Sequence, residues 1–340
     1  MNLPSPIGMN HDEIIDLLSR EEYGYLPEAP LEVTVEEEID QSFCPGKTIM
    51  RHLRITCKTK NGDFTFPANY NCPISDKPVP CFILINFRDY VPDKYLPSEE
   101  IADHGYAVIS FCYTDVTSDD NDFTNGLAGL IYGDRERGDT DPGKISMWAW
   151  AAMRVMDYAL TRDELLKDRI SVVGHSRLGK TALWAGALDH RFYCAFSNDS
   201  GCSGAAIARG TTGETIATIC NAFPCWFCKN YLKYADNEDS MPFDQHFLLA
   251  ANAPHRVYVA SASLDSWACP KQEYLSCIEA GKYYENLGIT GFVSDKDQPE
   301  VGDRFHDGYV GYHLREGRHR LSRHDWLGYI AYLDKQGERK

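Results

Sequence analysis

The sequence predicts an α/β fold, a three-layer sandwich in which helices cover both faces of a mostly parallel central sheet with an antiparallel N-terminal edge. Two patterns indicate this class. Short, continuously apolar runs alternate with longer helical stretches, as expected for parallel strands that are buried on both faces. Ahead of these runs, three segments alternate apolar and polar residues, which is typical of antiparallel strands.

The N-terminal region, residues 1–75, is expected to contain a helix followed by the antiparallel strands. Turn residues at Lys60-Asn61-Gly62 and at Pro45-Gly46 separate these strands, because Asn-Gly and Pro-Gly pairs favour tight turns. The antiparallel strands are predicted at 31–38, 51–56 and 63–69. The later strands are predicted at 81–87, 107–112, 170–173, 192–198, 257–262 and 309–314, with a long helix at 145–160.

Nothing in the sequence marks a linker, so residues 1–340 are expected to form a single domain. One polar stretch, residues 115–142, is rich in glycine and aspartate. Such a stretch is expected to be a solvated surface loop, with a lid or a cleft wall as the alternatives.

The charge and hydropathy patterns exclude several classes of partner. A formal net charge of −16 argues against nucleic acid or an anionic membrane, because either would repel the protein. No apolar run reaches the roughly 18 residues that span a bilayer, and the first residues lack a basic start followed by an apolar core. A cytoplasmic protein is therefore expected, while the composition leaves the oligomeric state open.

The chain contains 12 cysteines, which are expected to be reduced thiols in such a protein. Many lie on apolar segments, as Cys81, Cys112 and Cys194 do. Cys225 and Cys228 have CxxC spacing, but a second pair and a nearby His-x-x-x-His are missing, so burial is favoured over a metal or redox role. Neither a metal nor a cofactor is expected.

The most informative residue is Ser176, which lies where an apolar strand-like run stops at Gly174 and an apolar helix-like run begins. This layout predicts a nucleophile elbow, the sharp strand-to-helix turn that exposes a reactive serine in α/β-hydrolases. The common motif GxSxG is altered, because Leu178 takes the place of the second glycine and Gly179 follows it. A serine hydrolase is predicted.

A serine nucleophile needs a base and an acid that orients the base, and in α/β-hydrolases these follow in the order Ser, acid, His. His319 lies on the loop expected after the last strand and is the predicted base. His313, inside that strand, and His324, in the first turn of a helix, are the alternatives.

Two aspartates are candidates for the orienting acid. Asp265 follows the strand at 257–262, which is the usual acid position, and Asp199 follows the strand at 192–198. Both positions lie at the carboxyl ends of strands, where such sites form, although an aspartate there is often only a cap or turn residue. Lys180, four residues after Ser176, is expected on the same helical face. The alternative for Lys180 is a solvated helix residue.

With these residues in place, the chain resembles the glucuronoyl esterase family of carbohydrate esterases, whose relatives are often labelled acetyl xylan esterases. The resemblance covers most of the chain and depends on the segments Gly174-His175-Ser176-Arg177-Leu178-Gly179-Lys180, Asp199-Ser200-Gly201, Pro242-Phe243-Asp244-Gln245-His246, Asp265-Ser266-Trp267-Ala268-Cys269-Pro270 and Gly317-Arg318-His319.

The resemblance implies an α/β-hydrolase fold and assigns roles to seven residues. It implies Ser176 as nucleophile, His319 as general base and then acid, and Asp199 and Asp265 as shared or alternative orienting acids. Residues around the ester are implied as well: Arg177 at the oxyanion, Lys180 on sugar hydroxyls, and Trp267 as an apolar wall.

Two departures from the family pattern concern specificity and stability. Secreted fungal members carry a disulfide between cysteines beside the nucleophile and beside the histidine, where this chain has His175 and Arg320. The Gln and Glu that assist uronate recognition in those members have no clear match in residues 219–226.

The sequence therefore predicts a serine carboxylic-ester hydrolase for small-molecule or oligosaccharide carbohydrate esters, with glucuronoyl and acetyl esters both open. The alternatives are a non-catalytic carbohydrate-binding descendant and a serine peptidase.

Overall fold

The computed structural model of the protein describes residues 2–337 and contains a ten-stranded sheet in the order β1-β2-β3-β5-β4-β6-β7-β8-β10-β9. Its strands are β1 (Glu32–Asp40), β2 (Thr48–Thr59), β3 (Gly62–Pro73), β4 (Val79–Asn86), β5 (Ala107–Cys112), β6 (Leu165–His175), β7 (Cys194–Asn198), β8 (Arg256–Ala262), β9 (Arg304–Phe305) and β10 (Val310–Arg315). The α-helices are α1 (His11–Leu18), α2 (Ser98–Asp103), α3 (Gly126–Tyr132), α4 (Lys144–Ala159), α5 (Arg177–Leu188), α6 (Ile216–Ala222), α7 (His246–Ala250), α8 (Pro270–Asn286) and α9 (Arg323–Gly337).

The sheet has the predicted division between an antiparallel edge and a parallel centre. Strands β1, β2 and β3 pair antiparallel, and β3 joins β5 in the same sense. From β5 through β4, β6, β7 and β8 to β10 every pairing is parallel, and β9 closes the far edge antiparallel to β10. The predicted α/β class with an antiparallel N-terminal edge is confirmed.

Side chains from β4 show how the three layers arise. Successive strand residues point to opposite faces of a sheet, so Ile83 and Ile85 pack in one buried cluster while Phe82 and Leu84 pack in another. Helices α4, α5 and α8 cover the first face, and α2 and α9 cover the second. Trp326 of α9 meets Phe82 edge to face, with 5.3 Å between ring centroids.

Strand boundaries differ most from the sequence prediction in β6, which begins at Leu165 rather than at residue 170. Residues 166–168 are exposed, and the charged residues Lys167, Asp168 and Arg169 interrupt the apolar pattern. Their backbone belongs to the strand nonetheless, because Leu165 still pairs with Val79 of β4.

The polar segment 115–142 contains helix α3 and is tied to the body of the protein at both ends. The buried ammonium group of Lys144 donates to Thr117 Oγ1 at 2.8 Å and to the carbonyl oxygen of Asp122 at 2.6 Å. Arg137 Nη2 donates to the carbonyl oxygen of Phe227 at 2.8 Å. The segment is therefore anchored by side-chain bonds; its lid role stays a prediction.

All 12 cysteines are free thiols, and all except Cys44 are buried. Burial raises the pKa values of Cys225 and Cys228 to about 11 each. Buried thiols with raised pKa values are poor nucleophiles and metal ligands, in accordance with the burial predicted for this pair. Among residues 2–337, no helix combines the length and the apolar character that crossing a membrane requires.

Candidate active site

Ser176 occupies the turn between β6 and α5 with the backbone of a nucleophile elbow. Its φ is +59° and its ψ is −127°, a strained region for a residue with a side chain. The Ser176 N–H donates to the carbonyl oxygen of Asn198 at 2.8 Å, which fixes the turn against β7. The predicted elbow is thus present in the structure.

Close packing excludes a side chain at Gly174 and crowds one at Gly179. A Cβ on Gly174 would lie 1.8 Å from the carbonyl oxygen of Leu178, which no side chain tolerates. A Cβ on Gly179 would lie 3.0 Å from Ser200 Cβ and 3.1 Å from Ser197 Oγ. Leu178 is buried in the core, whereas Gly179 faces the end of β7. This close approach to β7 accounts for a second glycine at position 179 rather than at position 178.

His319 and Asp265 form the pair that a serine nucleophile needs. His319 Nδ1 and Asp265 Oδ2 lie 2.5 Å apart, and the carboxyl group is buried while 43% of the histidine side chain is exposed. The Leu264 N–H donates to the carbonyl oxygen of Gly317 at 2.8 Å, which joins the loops that carry the two residues. Since Nδ1 bonds the carboxylate, Nε2 is the nitrogen left for proton transfer.

Ser176 and His319 line one cavity of about 330 Å³. Among the described residues no direct hydrogen bond joins Ser176 to His319, and such bonds often tighten only when substrate is bound. A larger groove of about 750 Å³ lies near His190, but neither serine nor cysteine is among its lining residues. The wall of the smaller cavity is formed by Ser176, Arg177, Lys180, Asp199, Ser200, Gly201, Glu214, Phe223, Trp226, Asp265, Trp267, Ala268 and His319.

All seven residues singled out from the sequence are therefore brought together, but their contacts distinguish them. Asp199 is buried, and its Oδ2 accepts from Arg315 Nη2 at 3.3 Å and from the Arg320 N–H at 3.2 Å. Donor atoms of Asp199, Asp265 and His319 lie within 4.8 Å of one another, close enough in principle to hold a metal ion. The bond to His319 comes from Asp265, so of the two candidate acids Asp265 is the one that orients the histidine here.

Burial raises the pKa of Asp199 well above its usual range, and the neighbouring carboxylate of Glu273 raises it further. Glu273 is itself buried and accepts from Ser261 Oγ at 2.5 Å and from the Gly201 N–H at 2.9 Å. Asp199 Oδ1 is buried without a hydrogen-bond partner within residues 2–337. Asp199 therefore faces the histidine as a carboxyl group that resists ionisation.

Behind the histidine loop lies a buried ionic network that the sequence analysis did not identify. Arg315 Nε donates to both carboxylate oxygens of Asp325 at 2.8 Å. His313 Nε2 lies 2.9 Å from Asp325, and the Ser322 N–H donates to the same carboxylate at 2.7 Å. This network holds both ends of the loop that carries His319. The available sequence signal was the cap pair Ser322-x-x-Asp325.

The two alternative histidines lie outside the cavity. His313 is fully buried in the network just described, and His324 is exposed on α9, with its Nε2 3.2 Å from Arg304 Nη2. Neither belongs to the cavity wall. The structure thus favours His319 among the three candidates.

His175, immediately before Ser176, packs against His319. The ring centroids of His175 and His319 are 4.5 Å apart, and His175 Nδ1 lies 2.7 Å from Asn198 Oδ1. Burial, reinforced by the neighbouring His319, lowers the pKa of His175 to about 3. This ring is therefore neutral at physiological pH and supports His319 by packing alone.

Lys180 and Trp267 have opposite exposure. Lys180 is buried and donates to the carbonyl oxygens of Ser200 and, at 2.6 Å, Cys202, so it braces the loop after β7 as well as lining the cavity. It is not a solvated helix lysine, and burial lowers its pKa. Trp267 is 56% exposed, which leaves its ring available at the cavity mouth.

Three lining residues were missed by the sequence analysis: Glu214, Phe223 and Trp226. The rings of Phe223 and Trp226 are stacked with centroids 4.0 Å apart. Both aromatic residues lie in the segment 219–226, for which no family match was found. The two aromatic residues three positions apart were the available signal.

Comparisons with known proteins show the family to which this chain is similar. The family model described as "Glucuronyl esterase, fungi" matches residues 55–288. Carbohydrate esterase MZ0003, from an unknown prokaryotic organism, is 41% identical over 235 residues, which are 68% of this chain and 53% of that relative. The 4-O-methyl-glucuronoyl methylesterase of Podospora anserina is 30% identical over 288 residues, 81% of this chain and 55% of the relative.

The chain thus spans about half the length of these curated relatives. Among solved structures, a glucuronoyl esterase from Solibacter usitatus matches with a TM-score of 0.91 at 29% identity, over 99% of this chain and 98% of that one. Because the family model covers more than half of the sequence and the whole fold is shared, the chain belongs to the glucuronoyl esterase family.

Proposed function

We propose that the protein is a serine carboxylic-ester hydrolase that acts on carbohydrate esters through Ser176, His319 and Asp265. The observation that carries the proposal is the 2.5 Å contact between His319 and Asp265 in the same cavity as an elbow serine. Family membership supports it, since relatives are named carbohydrate esterase and 4-O-methyl-glucuronoyl methylesterase.

In the proposed reaction Ser176 Oγ attacks the ester carbonyl carbon while His319 Nε2 accepts the hydroxyl proton. The Arg177 N–H, at the start of α5, and the Arg177 side chain bind the oxyanion of the tetrahedral intermediate. The bond to the alcohol oxygen then breaks, and His319 gives its proton to the departing alcohol. An acyl group remains on Ser176.

Water completes the cycle. His319 takes a proton from water as the water oxygen attacks the acyl carbon, and that proton returns to Ser176 Oγ when the acid departs. Asp265 stabilises each imidazolium that forms and keeps Nδ1 protonated.

We propose glucuronoyl esters as the first substrates to test, because the relatives' names refer to such esters. In that case the sugar acid is the acyl group, and the exposed ring of Trp267 can pack against the sugar. Acetylated sugars, in which acetate is the acyl group, would use the same catalytic residues and differ only at the pocket.

The test measures turnover of benzyl glucuronate, acetylated xylo-oligosaccharides and p-nitrophenyl acetate by the purified protein. Ser176→Ala and His319→Ala are each expected to lower kcat by about 10³-fold or more. His324→Ala is the matched control, because His324 is exposed and lies outside the cavity, and it should retain activity.

Unchanged ester hydrolysis in Ser176→Ala would refute the proposal. Binding of a sugar without turnover of any ester would instead indicate a non-catalytic carbohydrate-binding descendant. Cleavage of peptides in preference to all three esters would indicate a serine peptidase.

A further inference from the structure

Asp119 lies in the segment 115–142 and connects three side chains beside the nucleophile. Its carboxylate accepts from Arg177 Nη1, from Tyr113 Oη at 2.9 Å and from Trp226 Nε1 at 2.7 Å. The Asp119 side chain is only 11% exposed. Asp119 therefore holds the side chain of Arg177, the residue that directly follows Ser176.

The guanidinium group of Arg177 is enclosed on its face as well as at its edge. It lies over the rings of Trp226 and Phe223, 4.5 Å and 5.1 Å from their centroids. Such a cation over aromatic faces is electrostatically favourable. Edge and face contacts together leave the group little freedom to change its orientation.

Arg177 still has donors to offer. Its Nε is buried and makes no hydrogen bond to any of the residues from 2 to 337, although buried donors in folded proteins are nearly always paired. The residue also forms part of the catalytic cavity wall. An acceptor oxygen of a molecule in this cavity would pair with the guanidinium donors that Asp119 does not use.

Asp119 is itself fixed by the scaffold. The buried ammonium of Lys144, at the start of α4, donates to Thr117 Oγ1 at 2.8 Å and to the carbonyl oxygen of Asp122 at 2.6 Å, on either side of Asp119. The carboxylate therefore sits on an anchored turn rather than on a free loop.

We propose that Asp119 is a positioning residue for catalysis: it holds the Arg177 guanidinium against the Phe223 and Trp226 rings so that its remaining donors stabilise the tetrahedral oxyanion. The inference rests on the proposed esterase function. Donors held in place before the reaction stabilise developing charge without reorganising during it, so the benefit appears in kcat.

The test is a double-mutant cycle with Asp119→Asn and Arg177→Met, measured on the ester that the wild type hydrolyses best. Asp119→Asn is expected to lower kcat about 10- to 100-fold and to change KM less than about threefold. If Asp119 acts through Arg177, the kcat of the double variant should match that of Arg177→Met within about twofold, because replacing Asp119 has no further effect once the guanidinium group is absent.

Asp120→Asn is the matched control on the same turn. The Asp120 carboxylate accepts from Ser118 Oγ at 2.6 Å and from the Asp122 N–H at 2.9 Å and is not bonded to Arg177, so its loss should leave kcat unchanged. Thermal unfolding of every variant separates a folding defect from a catalytic one. Arg177→Lys replaces Arg177→Met in the cycle if the methionine variant does not fold.

A second readout avoids sugar recognition. An alkyl fluorophosphonate is attacked by Ser176 Oγ at phosphorus with loss of fluoride, and the labelling rate is followed by intact-protein mass. Asp119→Asn and Arg177→Met should slow labelling in parallel with kcat. Labelling at wild-type rates, or losses in kcat that simply add in the double variant, would overturn the positioning role.

Failure of the underlying function looks different. In that case the wild type itself neither hydrolyses esters nor is labelled at Ser176, and the proposed function falls together with the role of Asp119.

Discussion

The contact between His319 and Asp265 gives the most decisive prediction about this site. Replacing Asp265 by Asn keeps the shape of the side chain but removes the charge that faces Nδ1 at 2.5 Å. A hydrogen bond to a charged group contributes about 1.5 to 3 kcal/mol, and the Asp265 carboxylate stabilises the imidazolium by this amount when His319 becomes protonated in the reaction. At about 1.36 kcal/mol per tenfold in rate, kcat should fall roughly 10- to 200-fold.

Asp199 provides the contrast, because it lies within 4.8 Å of the same groups without bonding His319. A full charge at that distance would be worth about 3 kcal/mol at an effective dielectric constant near 20. Two features reduce this value. Arg315 lies 3.3 Å from Asp199 and opposes its charge, and burial raises the pKa of Asp199, which reduces the charge itself. Asp199→Asn should therefore lower kcat less than about tenfold.

The assay is steady-state turnover of the best ester by both single variants and the double variant, with thermal unfolding as a check on folding. The double variant should lose about tenfold more than Asp265→Asn, since it neutralises both aspartates that lie within 4.8 Å of His319. The reasoning is refuted if Asp199→Asn costs as much as Asp265→Asn, because Asp199 would then be the acid that supports the reaction.

Three further predictions concern the cavity wall, the elbow and the buried histidine. Trp267→Ala should raise KM for a sugar ester about fivefold or more with little change in kcat or melting temperature, since the ring is 56% exposed; Leu264→Ala, 62% exposed and outside the cavity, is the control and should change neither constant. Gly174→Ala should destabilise the protein by more than about 3 kcal/mol in urea unfolding, because the new Cβ would lie 1.8 Å from the Leu178 carbonyl oxygen, and wild-type stability would contradict the elbow geometry. Burial lowers the pKa of His175 from 6.5 to about 3, so between these pH values the unfolded chain binds a proton that the folded protein does not. The free energy of unfolding is therefore at its full value above pH 6.5 and falls as the pH drops toward 3, by up to about 5 kcal/mol. Urea unfolding between pH 7.5 and 4.5 should show a shallower pH dependence in His175→Phe, and equal slopes would refute this assignment.

Much of the fold was predictable because it depends on local patterns. The mostly apolar run at 107–112 is a strand buried on both sides and coincides with β5, and the predicted long helix at 145–160 nearly coincides with α4. β6 was predicted too short because the charged residues Lys167, Asp168 and Arg169 lie inside it, and this part of the strand owes its structure to pairing with a neighbour rather than to its own hydropathy.

The candidate residues that line the site were predictable, but the hydrogen bonds between them were not. Ser176 and His319 follow from a local turn and from chain order, and both line the cavity. The choice between Asp265 and Asp199 was open, because each follows a strand and only the three-dimensional path of the loops decides which carboxylate meets Nδ1. The same holds for Asp119, whose partner Arg177 is 58 residues away in the chain.

Periodicity, glycine spacing and strand order are local properties of the chain, so the fold class, the serine elbow and the residue types around the cavity could be predicted from them. The contacts between these groups could not be predicted: that Asp265 bonds His319, that Asp199 is paired with Arg315, and that Lys180 braces a loop while it lines the cavity. Hydrogen bonds and ion pairs depend on distances of a few ångströms between residues far apart in the chain, and those distances exist only after the sheet has assembled.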